Sequence, residues 1–529
     1  MEIVTLNYDS DPFYNDNDIL IDERLITGVS WVGDSHFLIR TTNRESDIMK
    51  IFYVDAISME SEITRIEGDL NNSGNKDNSK RWFEITHNIV YIPSNGAERE
   101  FDGYLDVIDV NGFDHLGFFY PSNNSEPIIL TQGEWEVIDG ASGFDFINDK
   151  VYFISTEKSS IERHLYSVSL NGENLTNLTD TSIESWYDCS FSTGSRYLLL
   201  NYNGPQVPYQ KLIDLREDKI EILNSNDKLL EAIENYDIPI NNYGELKICD
   251  ENLNENYTIN YKETLPLNFN SNFKYPLLFF VYGGPGSQLV TKNFAISFSS
   301  IIASELNTVV VTVDGRGTGF KGKNFRNIVR DNLGHYEVID QIYAANYWKN
   351  NKKYIDESKI AIWGWSYGGF MTLKTLETDM GKTFKYGMSV APVTDWKFYD
   401  SVYTERYMHT PENNKENYEI SSIHLIENFK NVKKFLLMHG TGDDNVHIQN
   451  SLTLLDKFNL HGLENYDLEI FPDSDHSISY HNANTIVYDK LFNWLSSAFN
   501  GEFDKDNDEY NKNYNSFNLN NYNNIDLYG

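Results

Sequence analysis

Residues Ile362–Phe370 read IWGWSYGGF. Within them Gly364-Trp365-Ser366-Tyr367-Gly368 fits G-x-S-x-G, the pattern that places a serine on a sharp turn between a strand and a helix. A serine hydroxyl is a weak nucleophile at neutral pH. It needs an imidazole to take its proton and a carboxylate to hold that imidazole in the right tautomer. On such a turn the three groups follow in the order serine, aspartate, histidine, each past the C-terminal end of a strand. KFLLMHGTGDDNV puts Asp443 and Asp444 just after an apolar run, and YDLEIFPDSDHSI puts His476 after the next one. His439, His447 and His481 lie nearby, but only His476 stands in the loop that the order requires. The spacing therefore points to Ser366 as nucleophile, His476 as the base that later returns the proton, and Asp443 as its orienting carboxylate. The plain alternatives are a turn serine, a loop-capping carboxylate and a surface histidine.

Acyl transfer also requires donors for the oxyanion of the tetrahedral intermediate. The backbone N–H of Tyr367, the residue after the nucleophile, is one. A second should come from the loop after an earlier strand, where FFVYGGPGSQ offers Tyr282. By itself Tyr282 reads equally well as a core aromatic.

The motif is common enough by chance that its context decides its worth. It follows the apolar run KIAIW and precedes FMTLKTLETD, which has helical character. YPLLFFVYGG, NTVVVTVDGRG, YGMSVAPV, KFLLMHGTGDD and YDLEIFPDSDH are further apolar runs ending in glycine or polar loops, as in parallel strands buried on both faces. Helical stretches such as Glu337 to Lys349 and Ile448 to Phe458 lie between them. This alternation predicts a doubly wound, mostly parallel α/β domain, assigned to 251–500.

The first ~250 residues are of another kind, short strands and turns with hardly a helical period before Lys228 to Asn235. MKIFYVDAISMESEITRI, HLGFFYPSNNSEPIILTQ, HLYSVSLNGENLTNLTD and QKLIDLREDKIEILNSN each give strand, polar turn and strand, and begin at Met49, His115, His164 and Gln210. A propeller blade of four strands needs about 40 to 50 residues, so residues 1–250 are expected to form an all-β, partial β-propeller, with a β-sandwich as the alternative. The Asn-rich stretch 501–529 reads as a disordered tail.

Composition narrows the function. Among 529 residues, 43 are basic and 79 acidic, a formal charge of −36 that repels nucleic acid and anionic membrane. Only Cys189 and Cys249 are present, which excludes a disulfide framework, a four-thiolate zinc site and an iron–sulfur cluster. One disulfide and two free thiols both remain open. No window approaches the ~20 apolar residues of a spanning helix, and MEIVTLNYDS is not a signal peptide. Five N-x-[ST] sequons, at Asn71, Asn123, Asn174, Asn177 and Asn256, fall before residue 260 and none after it.

GWSYGG, VYGGPGSQ, VDGRGTGF, APVTDWKFYDSVYTERYM and HGTGDDNVH together closely resemble the dipeptidyl peptidase IV branch of the prolyl oligopeptidase family, particularly its fungal dipeptidyl aminopeptidases. The likeness covers about Tyr275 to Asn500, and TNRESDIMK, RWFEITHN and GEWEVIDG extend it more weakly through the strand-rich half. It implies an α/β-hydrolase domain joined to a β-propeller, and release of X-Pro or X-Ala dipeptides from peptide N-termini without cofactor or metal. It implies the triad Ser366, Asp443 and His476, with the Tyr282 hydroxyl as an oxyanion donor. Val393, Trp396, Tyr399, Tyr403 and Val446 would form the pocket for the penultimate side chain, and Asn445 would donate to the substrate carbonyl. A homodimer and a type II glycoprotein of the vacuolar or Golgi membrane are further implications.

The chain departs from this pattern in several places. The branch holds the substrate amine with two adjacent glutamates, and this chain has no Glu-Glu dipeptide. No N-terminal anchor helix is present, four repeats are about half of the family's blades, and Ser477 stands where glycine is usual. The reading is therefore of a chain matching the family from mid-propeller onward. A non-catalytic interaction protein and a less selective serine esterase or peptidase are the competing functions.

Overall fold

The structure, a computed structural model, describes residues 24–68, 81–84, 88–96, 99–250 and 255–504. Four separate four-stranded antiparallel sheets span 24–68, 90–129, 137–177 and 186–224, with strands adjacent in chain order, as in propeller blades. The repeats read from the sequence start in the third strand of each sheet, namely Ile48–Asp55, Phe113–Phe119, His164–Ser169 and Tyr209–Asp214. What repeats visibly is thus the hairpin of strands three and four. A sandwich would need two facing sheets, and four consecutive blades replace that alternative.

Neighbouring blades pack face to face. Ile51 and Val32 of the first meet Tyr104 and Phe119 of the second, and Leu105 and Phe118 of the second share a core with Phe144 and Phe153 of the third. Asp106 of the second blade receives both Arg40 and Arg65 of the first, all three buried, so each charge has its partner. Cys189 and Cys249 are free thiols. Among the described residues no helix is long and apolar enough to cross a membrane.

The rest of the chain builds one eight-stranded sheet from β1 (Ile240–Asp250), β2 (Glu255–Leu265), β3 (Tyr275–Phe280), β4 (Val309–Asp314), β5 (Ile355–Trp365), β6 (Tyr386–Val390), β7 (Lys434–Gly440) and β8 (Tyr466–Phe471), in the order β1-β2-β4-β3-β5-β6-β7-β8. β1 and β2 run antiparallel, and the pairs from β4–β3 to β7–β8 are parallel. The division expected at 250 leaves β1 with the blades, whereas β1 pairs with β2 along its whole length. Leu246 and Ile248 of β1 are buried while Lys247 and Cys249 are exposed, the same alternation as a blade strand, so pattern alone does not separate them.

The central strands are buried on both faces because successive side chains enter different layers. Leu277, Phe279, Val309, Val311, Ile360 and Ile362 share a core with α2 (Tyr336–Asn351) and α3 (Tyr367–Asp379). Leu278, Val310, Ala361 and Trp363 face α1 (Phe298–Glu305) and α6 (Ala483–Phe499). The remaining long helices are α4 (Ser401–Met408) and α5 (Gln449–Leu460). Residues 501–504 belong to a last helical turn, and 505–529 of the expected tail lie outside the described residues.

The two regions touch through side chains of both. Trp82 is 3% exposed and sits in the core of the α/β region, edge-on to Tyr407 at 5.1 Å. Arg44 of the first blade forks onto Glu405, and Lys323 lies 2.9 Å from Asp114 of the second blade.

Candidate active site

Ser366 occupies the single residue between β5 and α3, with φ 61° and ψ −119°. Few non-glycine residues adopt a positive φ, and such strain persists only where the surroundings enforce it. They do so here by close backbone contact. A Cβ at Gly364 would lie 2.4 Å from the Gly368 carbonyl oxygen, at Gly368 2.2 Å from that of Val281, and at Gly369 2.6 Å from that of Val390. The Ser366 N–H donates to Val390 O at 2.9 Å, and its carbonyl accepts from Phe370 N–H at 3.0 Å as the first bond of α3.

Past β7, the buried Asp443 accepts the N–H groups of Asn445 at 3.0 Å and Val446 at 2.8 Å through Oδ1. Its Oδ2 lies 2.7 Å from His476 Nδ1 and 3.2 Å from His439 Nε2. Burial by itself raises its pKa, but the hydrogen bonds from His439 and His476 outweigh that and hold the carboxyl well below the usual range. An Asp443 kept ionised in this way fixes the imidazole with Nδ1–H toward itself and Nε2 free. Asp444 is exposed, as are His447 and His481. His439 is fully buried with both ring nitrogens engaged, Nδ1 on Ser451 Oγ and Nε2 on Val446 O, each at 2.8 Å.

His476 follows β8, and its backbone carbonyl accepts from the Trp365 indole N–H at 2.9 Å, tying the histidine loop to the residue before Ser366. The Ser366 hydroxyl has no hydrogen-bond partner among the described residues, so the serine–histidine bond is not formed. Such bonds commonly tighten only with substrate in place.

The oxyanion candidates adjoin the serine. Tyr367 begins α3, where the first N–H groups of a helix have no intrahelical acceptor. The Tyr282 ring lies 6.0 Å from that of Tyr367, and its hydroxyl has no partner among the described residues. Burial raises the Tyr282 pKa, so the phenol stays protonated and able to donate.

The pocket residues come together on the same side. Val393, Trp396 and Val446 are 2%, 1% and 0% exposed and form its base, while Tyr399 and Tyr403 are half-buried. Trp396 stacks on Tyr403 at 6.3 Å, and Tyr399 meets Tyr403 edge-on at 5.2 Å. Three rings at fixed angles make a rigid slot for a small apolar ring. The Tyr399 hydroxyl donates to Asn445 Oδ1 at 2.9 Å, which leaves the Asn445 NH₂ to point away as a donor. Burial, with Asp400 and Tyr282 nearby, pushes the Tyr399 phenol up to about 12, so it keeps that proton.

Sequence reasoning set His439 aside as a competitor for the base, and gave no role to the Trp365 anchor on His476 or to Glu337, whose carboxylate accepts the Tyr367 hydroxyl at 2.8 Å. Burial, opposed by the Gly334 N–H, raises the Glu337 pKa to about 7. A histidine four residues before the aspartate was a usable signal for the first, but the other two depend on folding. Glu45, Asp47 and His409 form a cluster with metal-ligand chemistry away from this site, but Arg330 Nη2 already lies 3.3 Å from Asp47 and 3.2 Å from His409.

Comparison with known proteins places this geometry. Residues 294–502 match the prolyl oligopeptidase family, and residues 8–209 match the dipeptidyl peptidase IV N-terminal region. The chain is 52% identical to a probable dipeptidyl-aminopeptidase B of Botryotinia fuckeliana, over 90% of this chain and 51% of that protein. It is 49% identical to the dipeptidyl aminopeptidase B of Saccharomyces cerevisiae, over 91% of this chain and 60% of that one. The chain thus spans about half the length of the curated relatives it matches. The crystal structure of Porphyromonas gingivalis dipeptidyl peptidase 4 superimposes with a TM-score of 0.76 at 28% identity, covering 89% of this chain and 63% of that one. With both of its regions matched in the order that branch has them, the chain belongs to the dipeptidyl peptidase IV branch of the prolyl oligopeptidase family.

Proposed function

We propose that the protein is a serine dipeptidyl aminopeptidase that releases X-Pro or X-Ala dipeptides from peptide N-termini. The observation that carries this reading is the Asp443–His476 pair at 2.7 Å, tied through Trp365 to a strained Ser366 beside an aromatic slot. Ser366 Oγ attacks the carbonyl carbon of the penultimate residue while His476 Nε2 takes its proton. The oxyanion draws on the Tyr367 N–H and the Tyr282 O–H. His476 then returns the proton to the leaving amine, and water hydrolyses the acyl-enzyme by the same path. The slot of Trp396, Tyr399 and Tyr403 with Val393 and Val446 receives the penultimate side chain, and the Asn445 amide donates to the substrate carbonyl. The relatives named as dipeptidyl aminopeptidases support the same substrate class. A fluorophosphonate probe should label Ser366, and Ser366→Ala should lose both labelling and cleavage of an X-Pro chromogenic substrate. Labelling that persists in the variant would sink the assignment.

A second reading is a less selective serine peptidase or esterase, indifferent to the free amine. Comparing free and N-acetylated X-Pro substrates separates the two, since equal turnover excludes a dipeptidyl peptidase. The proposal also includes a homodimer and a glycosylated protein of the secretory pathway, at the vacuole or Golgi. Exposure of Asn123, Asn174, Asn177 and Asn256 supports the second, while Asn71 lies outside the described residues. Enzymatic removal of N-glycans that leaves the apparent mass of the native protein unchanged would refute it.

A further inference from the structure

Tyr367 is held at three points. Its backbone starts α3 beside Ser366, and its ring lies 5.6 Å from Trp396, 5.3 Å from Phe370 and 6.0 Å from Tyr282. Its hydroxyl donates to Glu337 Oε1 at 2.8 Å. Ring contacts restrain a phenol sideways but let it slide in its own plane. A hydrogen bond at the far end removes that freedom.

The acceptor is itself anchored. Glu337 lies in the first turn of α2, is 2% exposed, and takes the Gly334 N–H at 3.0 and 3.1 Å from its two oxygens. Gly334 has φ +82°, and a Cβ there would lie 2.6 Å from Phe370 Cζ, so this loop is wedged against the helix that Tyr367 begins. A buried carboxyl is an expensive way to fill space, because an apolar side chain of similar volume packs there without desolvation. Its position on the one side chain whose backbone faces the developing oxyanion gives it another use. An oxyanion donor helps only when it is already aimed at the transition-state oxygen, and small displacements forfeit much of the effect.

We propose that Glu337 is a positioning residue for acyl transfer, holding Tyr367 by its hydroxyl so that the Tyr367 N–H stays aimed at the oxyanion. This rests on the serine peptidase reading above. Glu337 touches neither substrate nor reacting atoms, and its effect passes through Tyr367.

The test compares the full chain with Tyr367→Phe, Glu337→Gln and the double variant on an X-Pro chromogenic substrate. Rates are expressed per active site titrated with the fluorophosphonate probe, which discounts misfolded protein. Removing an oxyanion donor outright costs about 10²- to 10³-fold in kcat, so a loosened one should cost about tenfold in Tyr367→Phe with KM within about twofold. Glu337→Gln keeps an acceptor and should lose about threefold, and the double variant should be no slower than Tyr367→Phe because both act through one bond. An unchanged kcat in Tyr367→Phe, or losses that multiply in the double variant, overturns this inference and leaves the peptidase reading standing. A wild-type protein that neither labels nor turns over overturns that reading and this inference with it.

Discussion

Within the blade strands, Gly117 and Gly143 face side chains: a Cβ at Gly117 would meet Ile108 methyls at 2.9 and 3.0 Å, and one at Gly143 would meet the Phe191 ring at 2.7 Å. Around Ser366 the glycines face main-chain oxygens, with the Val281 carbonyl 2.2 Å from a Cβ on Gly368. Side chains can rotate or repack, whereas a carbonyl fixed in a parallel strand cannot move without disturbing the sheet. The difference shows where this molecule concentrates its constraints. Around Ser366 the chain is locked backbone against backbone, whereas at Gly117 and Gly143 it rests on contacts that can deform.

The comparison is broken most directly at Ser366. If the proposed chemistry runs through this residue, Ser366→Ala should reduce kcat on an X-Pro substrate by about 10⁶-fold, while thermal unfolding stays close to wild type. Residual turnover above about one thousandth of wild type would show that the locked geometry serves packing alone.

Gly368→Ala tests the locking itself. Alanine is the better helix former by about 1 kcal/mol and Gly368 lies in α3, so propensity alone predicts stabilisation. The 2.2 Å approach to Val281 O reverses the sign, and a loss of at least about 3 kcal/mol is expected in the urea midpoint. Gly117→Ala in the second blade should lose only about 1 kcal/mol, because Ile108 can turn aside. Equal losses at the two positions would erase the distinction between the regions.

Trp82 probes the seam. It comes from the blade-bearing part of the chain, yet its indole lies in the α/β core against Tyr407, which packs on Tyr403 of the slot at 4.7 Å. Trp82→Ala should cost about 3 kcal/mol from the cavity it leaves. It should also raise KM for X-Pro substrates more than it lowers kcat, since it loosens the slot and leaves Ser366 untouched. A change in kcat alone would mean that the seam acts on the elbow instead.

How far the sequence discloses all this follows the same division. The elbow is legible because strand, glycine and helix are contiguous in IWGWSYGGF, and Asp443 and His476 follow in a fixed order past apolar runs. The blades are legible through their third and fourth strands, which share a strand–turn–strand pattern. Strand β1 is misassigned because an edge strand with one wet face alternates as a blade strand does. Glu337 is hidden because its partner is 30 residues away and its burial arises from folding. Trp82 and Arg44 read as ordinary residues of a strand-rich region until the α/β region is packed against them.

The seam should also show a pH dependence at His409. This residue follows α4, its Nδ1 pairs with Asp331, and its Nε2 lies 3.4 Å from Asp47 and 3.7 Å from Glu45 of the first blade, with Arg330 Nη2 at 3.2 Å. Burial and Arg330 disfavour the charged imidazole, but the carboxylates of Asp331 and Asp47 outweigh them and push its pKa up to about 9. A histidine raised above its unfolded value of about 6.5 stabilises the fold fully below that pH and loses the contribution as pH rises through about 9, here about 3 kcal/mol at most. The blades of one region and the sheet of the other should therefore unfold together at pH 6.5, and stability should fall between pH 7 and 9.5. His409→Gln should flatten that decline while leaving stability at pH 9.5 within about 1 kcal/mol of wild type, because the neutral ring contributes little more than a hydrogen bond there. A decline of the same slope in His409→Gln would assign the alkaline loss to groups outside the seam.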